Sequence, residues 1–165
     1  MKLIVFSDSH RRNGSDMLAI IDEEQPDAVL HLGDVSADVD DIRAVYPALT
    51  VYDVRGNNEY GWGAQDAPEQ LVVRAGQVRL FLTHGHLYGV RRNTKALAAA
   101  ARKNKCQVAL YGHTHEAEIS RNGSLLIANP GSISMPYVAA PPSYLRLVIE
   151  GTEIQPEIVY LDKRR

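Results

Sequence analysis

Residues 2–10 read Lys2-Leu3-Ile4-Val5-Phe6-Ser7-Asp8-Ser9-His10. An unbroken apolar run rich in β-formers predicts a strand buried on both faces, and it ends at once in a carboxylate and an imidazole. The pattern recurs downstream. Ala28 to Leu32 is a second buried strand running into Gly33-Asp34, and Leu49 to Val54 is a third, ahead of Gly56-Asn57-Asn58-Glu59. Between them the period changes. Ser15 to Glu24 places Met17, Leu18, Ile20 and Ile21 on one side of a helix that stops at Gln25-Pro26-Asp27. Asp38 to Tyr46 reads as a short helix ending before Pro47.

Further along, Leu71 to Arg74 and Gln77 to Leu82 form a hairpin pattern turning at Ala75-Gly76. Arg92 to Lys105, with Ala96 and the run Ala98 to Ala101, predicts the strongest helix of the chain, and Gln107 to Tyr111 another short strand. From Glu118 onward the pattern is strand-like, with turns at Asn122-Gly123 and Glu150-Gly151. Early alternation of strand and helix, then consecutive strands, predicts a layered α/β domain with two sheets packed face to face. The 165 residues suggest one domain spanning 1–165. They fall well short of the roughly 250 of a (β/α)8 barrel.

The composition, 45% hydrophobic and 23% charged, is that of an ordinary globular chain. A net charge of -2 gives no general attraction to nucleic acid or to anionic membrane, though it leaves room for a local basic patch around Arg91, Arg92 and Lys95. The single cysteine, Cys106, excludes an internal disulfide and reads as a small core residue. No apolar stretch is long enough to span a membrane, and the first one is too short for a signal peptide, so a cytoplasmic location is expected.

Five polar clusters end predicted strands: Asp8-Ser9-His10, Gly33-Asp34, Gly56-Asn57-Asn58-Glu59, His84-Gly85-His86 and Gly112-His113-Thr114-His115. In an α/β sheet the carboxyl ends of the strands form the natural ligand crevice. All six histidines, His10, His31, His84, His86, His113 and His115, lie in or beside a cluster. Imidazoles mixed with carboxylates and an amide oxygen suit borderline divalent metals such as Mn, Fe, Zn or Ni. Singly, each cluster has an ordinary reading: a helix cap at Asp8-Ser9-His10, a turn at Gly33-Asp34, a loop at Gly56-Asn57-Asn58. The two His-x-His pairs are more specific, because alternate residues of an extended segment project to one side. Five clusters in order, each after a strand, point to a metal site.

The series Asp8-x-His10, Gly33-Asp34, Gly56-Asn57, His84 and Gly112-His113-x-His115 resembles the motif set of the calcineurin-like metallophosphoesterase superfamily. Small size, the form Thr83-His84-Gly85-His86 and the later Asn129-Pro130-Gly131-Ser132 are similar to its compact bacterial and archaeal phosphodiesterase branch. The resemblance implies a four-layer α/β/β/α sandwich of two packed mixed β-sheets flanked by helices. It also implies two divalent metals, Mn first and Ni, Fe or Zn next. One would be held by Asp8, His10, Asp34 and His115, the other by Asp34, Asn57, His84 and His113, with Asp34 bridging. Such a pair, about 3.5–4 Å apart, turns a bridging water into hydroxide that attacks phosphorus in line with the leaving oxygen.

Two candidate catalytic groups stand outside that ligand set. Many family members carry histidine directly after the motif asparagine, to protonate the leaving group; here the position is Asn58, which has no proton to give. His86 and His31 read equally as supporting hydrogen-bonding groups or as satisfied buried histidines. Tyr60 and Trp62 read as pocket lining or as core cover. A small phosphate ester is the expected partner, a diester by resemblance, with a phosphomonoester as the alternative. A homo-oligomer is expected, but no membrane and no nucleic acid. The resemblance also brings a scaffold reading, since the retromer complex contains a subunit of this fold that acts through protein contacts. Here, in contrast to a worn-out site, every expected metal position carries a competent side chain.

Overall fold

The computed structural model describes residues 1–10, 14–34, 37–59, 66–137 and 139–161; Tyr60 and Trp62 lie outside them. In chain order the elements are β1 (Lys2–Phe6), α1 (Gly14–Glu24), β2 (Ala28–His31), α2 (Ala37–Val45), β3 (Thr50–Asp53), β4 (Gln70–Ala75) and β5 (Val78–Thr83). They continue with α3 (Lys95–Lys103), β6 (Val108–Leu110), β7 (Ala117–Asn122), β8 (Leu125–Pro130), β9 (Ser143–Glu150) and β10 (Glu153–Tyr160). Two five-stranded sheets result, ordered β10-β9-β1-β2-β3 and β4-β5-β6-β8-β7. Both are mixed: β1, β2 and β3 run parallel in one and β5, β6 and β8 in the other, while β9, β10, β4 and β7 pair antiparallel.

The apolar runs are continuous because their strands have two faces to bury. Leu3 and Val5 of β1 join Leu80 and Leu82 of β5 in the core between the sheets. Ile4 and Phe6, one residue out of step, face the other way and pack with Met17, Ile20 and Ile21 of α1 and Ile42 of α2. On the far side Phe81, Ala109 and Ile127 meet Leu97, Ala98 and Ala101 of α3. The order of layers is therefore helices, sheet, sheet, helix, as the resemblance implied.

One boundary moves by a physical cause. The third helix begins at Lys95 rather than Arg92, because Gly89 turns left-handed (φ 61°), the Arg92 N–H bonds Gly89 O, and Asn93 Oδ1 accepts the Lys95 N–H. That turn holds Arg91 out of the helix.

Away from the strand ends, Glu24 at the end of α1 accepts from Tyr144 Oη at 2.7 Å and from Arg146 Nε at 3.1 Å, tying the helix to β9. The Arg146 hydrogen bonds, acting against burial, hold its carboxyl down to about 2 from the usual 4.5. Because the folded value is the lower one, this stabilisation is complete above about pH 4.5 and is lost as pH falls through about 2. Glu24→Ala, which leaves the partly exposed Arg146 with Glu157 as its carboxylate partner and removes the Tyr144 acceptor, should cost on the order of 2 kcal/mol. Urea unfolding at neutral pH checks it; a loss within 0.5 kcal/mol, about the size of an ordinary surface change, would show the network to be idle.

Candidate metal centre

Every polar cluster follows the carboxyl end of a parallel strand, and the two sheets bring those ends together. Asp8 follows β1, Asp34 follows β2 and Asn57 follows β3; His84 follows β5 and His113 follows β6. Backbone bonds lock the loops to one another: Asp8 N–H to Gly33 O at 3.0 Å, His10 N–H to Asp34 O at 3.1 Å, Gly112 N–H to His84 O at 3.0 Å. Five residues here, Asp8, His10, Asp34, His113 and His115, sit in the left-handed region with φ between 49° and 69°. Left-handed backbone costs a non-glycine residue roughly 1–2 kcal/mol, so the surrounding bonds must over-determine it.

One ligand atom from each of Asp8, His10, Asp34 and His115 falls within 4.8 Å of the others. Asp8 Oδ2 is already satisfied, accepting from Ser7 Oγ at 2.6 Å and from the His113 N–H at 3.1 Å. Asp8 Oδ1 is buried and accepts no hydrogen bond, although His115 Nε2 lies 3.2 Å away. His115 Nδ1 donates to Met135 O, so the neutral ring keeps its lone pair on Nε2, aimed into the group.

A second convergence lies beside the first. His84 Nδ1 donates to Leu32 O at 2.8 Å, which leaves the Nε2 lone pair 3.1 Å from Asn57 Oδ1 and 3.4 Å from Asp34 Oδ1. With His84 neutral, three acceptors thus face one another, and only a proton or a cation can stand between them. His113 stacks edge-on against His84, ring centres 5.1 Å apart. In the adjoining group Asp8 Oδ1 is the buried acceptor left without a donor, which costs about 1–3 kcal/mol and more for a charged atom. A cation there removes that cost, so the donor set fits a metal.

Without an ion, protons do part of this work. Burial opposes the charging of His84, but the Asp34 contact and the Asp8 and Asp34 charges outweigh it and raise its pKa above the ordinary imidazole value. The Asp8 contact, against burial, raises His115 as well. Burial, His84 and Arg91 push His113 down to about 4. Asp8 and Asp34 stay below the usual carboxylate range, their histidine contacts overcoming burial.

The sign of the pH dependence follows. Raised folded-state values mean that the metal-free protein gains stability from His84 and His115 below about pH 6.5 and loses it as pH rises through those values. A metal must displace the same protons. The rise in melting temperature on adding a saturating divalent metal should therefore be larger at about pH 8 than at about pH 6. Equal shifts at both would mean that the ion does not compete for these rings.

A sequence model of the calcineurin-like phosphoesterase superfamily domain matches residues 1–152. The chain belongs to that superfamily. It is 33% identical over 155 residues to the probable metallophosphoesterase YsnB of Bacillus subtilis, covering 92% of this chain and 86% of that protein. It is 45% identical over 78 residues to the phosphodiesterase YfcE of Escherichia coli K12, 47% of this chain and 38% of that one. The solved structure of YfcE superposes with a TM-score of 0.71 at 27% identity, over 98% of this chain and 100% of that chain. Vps29 of Entamoeba histolytica, solved with zinc, superposes with a TM-score of 0.77 at 24% identity, over 97% and 99%. That last likeness shows the fold alone.

Within this calcineurin-like frame the structure brings all seven sequence-predicted ligand residues to one crevice, though not for the reason first given. The His-x-His segments are not extended: Gly85 is left-handed (φ 103°), and so are His113 and His115. The second pair splits, His115 joining Asp8 and His10 while His113 sits by His84, whereas His86 stays beside His84. His86 opens a 3-10 turn, its ring centre 5.4 Å from that of His84 and its Nδ1 buried without a hydrogen bond. Asn58 grips the central carboxylate, its backbone N–H on Asp34 Oδ1 and its side-chain amide on Oδ2, both at 2.8 Å. His31 is fully buried; its Nδ1 accepts the Gly33 N–H and its Nε2 reaches Ser9 Oγ at 3.1 Å.

Several supporting roles escaped the motif reading. Glu59 Oε1 accepts from the backbone N–H of both Asp34 and Gly56. Ser132 and Ser134 hydroxyls donate to Asp8 O at 2.8 and 3.0 Å, and Asn129 Nδ2 bonds Gly112 O and Thr114 Oγ1. The Asn129-Pro130-Gly131-Ser132 turn signal marked the place but not these partners. Arg91 had no signal beyond its basic neighbours.

Proposed function

We propose that this protein is a two-metal phosphoesterase acting on a small phosphate diester. The observation that carries the reading is the pair of adjoining acceptor groups that share Asp34. Its Oδ1 lies 3.4 Å from His84 Nε2 and its Oδ2 lies 4.0 Å from His10 Nε2. We assign Asp8, His10, Asp34 and His115 to one ion and Asp34, Asn57, His84 and His113 to the other. When bound, two such ions, Mn before Ni, Fe or Zn, supply Lewis acidity toward a phosphoryl oxygen and a hydroxide nucleophile at neutral pH. The chain orients them. Asn58 donors on both Asp34 oxygens leave each oxygen a lone pair on its outer side, and the fixed tautomers of His84 and His115 keep Nε2 available.

The diester preference is supported by the YfcE likeness, and the same site would accept monoesters. Asn58 is the proposed hydrogen-bond donor near the leaving oxygen, and His86 the nearer supporting imidazole. General-acid help is typically worth about 10²–10⁴-fold, and an amide supplies none of it. A panel of phosphodiesters and phosphomonoesters across leaving-group pKa, assayed after chelation and with Mn, Ni, Zn or Mg restored, tests the reading. Turnover that returns with Mn, prefers diesters and falls steeply as the leaving group becomes more basic is the expected result. Activity undiminished by exhaustive metal removal would end it.

A further inference from the structure

Arg91 is exposed, held out of α3 by the Gly89 turn, and its guanidinium lies on His113. Arg91 Nε donates to His113 Nε2 at 3.0 Å and Nη2 to His113 O at 3.0 Å. Among the described residues no carboxylate forms an ion pair with Arg91 or with its neighbour Arg92. The Arg91 guanidinium rests instead on a neutral imidazole and the backbone carbonyl of the same residue.

Counting lone pairs shows that the arrangement is provisional. A neutral imidazole has one lone pair, and here the Arg91 Nε–H uses it. A metal on His113 needs that same pair. If it binds through Nε2, it takes the place of Arg91 Nε directly. If it binds through Nδ1, the proton moves to Nε2 and two N–H groups confront each other. Either way the Arg91 Nε bond and a metal on His113 exclude each other. The displaced guanidinium then stands beside a cationic centre with no carboxylate to neutralise it, which calls for an anion. Next to it opens a cleft of about 660 Å3 lined by Tyr88, Gly89, Arg91, Arg92, Asn93 and Ala96.

We propose that Arg91 is a substrate-binding residue, resting on His113 while the site is empty and turning onto the phosphoryl oxygens of the substrate once His113 holds a metal. The proposal rests on the two-metal reading above. The planar guanidinium presents a fork of donors that matches two phosphoryl oxygens, which a lysine cannot do.

The test is calorimetric titration of the Mn-loaded protein with inorganic phosphate, for wild type, Arg91→Ala, Arg91→Gln and Arg91→Lys, alongside Mn stoichiometry and affinity. Arg91→Ala should bind two Mn ions no more weakly than wild type, since a competitor for His113 is gone. Its phosphate affinity should fall about 10–100-fold, with Arg91→Lys recovering only part. On a diester, KM should rise more than kcat falls. Arg91→Gln keeps most of the bulk, so a loss shared in full by Gln and Ala and only in part by Lys reports charge rather than folding. Phosphate affinity within about twofold of wild type in doubly loaded Arg91→Ala would overturn the proposal. So would weaker Mn binding in that variant, which would make Arg91 a support for His113. Failure of the two-metal reading would appear in the wild type alone, as fewer than two Mn ions bound, and would take the proposal with it.

Discussion

Asp34→Asn should lose activity by more than the about 10–100-fold that removal of a supporting histidine such as His86 costs, and should lose metal with it. Asp34 is almost wholly buried, and both its oxygens accept from Asn58, leaving their remaining lone pairs to the two histidine groups. An amide cannot reproduce this. Whichever way it is turned, its NH2 confronts one Asn58 donor, and only one oxygen is left to serve two ions. His86→Ala, by contrast, removes a ring that adjoins His84 without sharing a hydrogen bond with it. The comparison is kcat at saturating metal, with bound metal counted by elemental analysis and fold checked by circular dichroism. Near-normal kcat in Asp34→Asn with a collapse in His86→Ala would refute the ligand assignment.

Gly112→Ala should be nearly as damaging, through packing rather than chemistry. A Cβ at Gly112 would stand 1.9 Å from Ser7 Oγ and 2.8 Å from Asp8 Oδ2, where no real contact is tolerated. The loop between β6 and β7 must then withdraw, taking the His113 N–H from Asp8 Oδ2 and moving His113 and His115 together. A 1 Å misplacement at a reacting centre can cost about 10²-fold in rate, and that is the scale expected here. Gly76→Ala is the control. It also places alanine at positive φ (59°), but nothing lies within 4 Å of the new Cβ, so stability should fall by about 1–2 kcal/mol with metal affinity unchanged. Ser7→Ala in the Gly112→Ala background removes the worst contact and should restore part of the metal affinity. No rescue, together with intact metal binding in the single variant, would show that the loops do not need this closeness.

The residue pattern by itself determined the strands, the chain order of the motifs and the set of residues in the crevice. Strand burial is written locally: Leu3-Ile4-Val5-Phe6 is apolar on both faces because one faces the other sheet and one faces α1. Motif position is local too, since a polar group just past a parallel strand is delivered to the sheet's carboxyl edge whatever its neighbours are. What depends on distant partners was decided only by the tertiary structure. The order β4-β5-β6-β8-β7 and the insertion of β9 beside β1 arise from pairings across the chain, which no window of sequence encodes. The left-handed backbone at Asp8, Asp34, His113 and His115 separates histidines that simple alternation would have kept together, because loop-to-loop bonds outweigh the local extended preference. The Asn58 grip on Asp34 joins residues 24 positions apart, and the Arg91 contact with His113 joins residues 22 apart. Directional bonds of this kind are fixed to a fraction of an ångström only after both sheets have packed, which is why the sequence names the residues and only the fold assigns their partners.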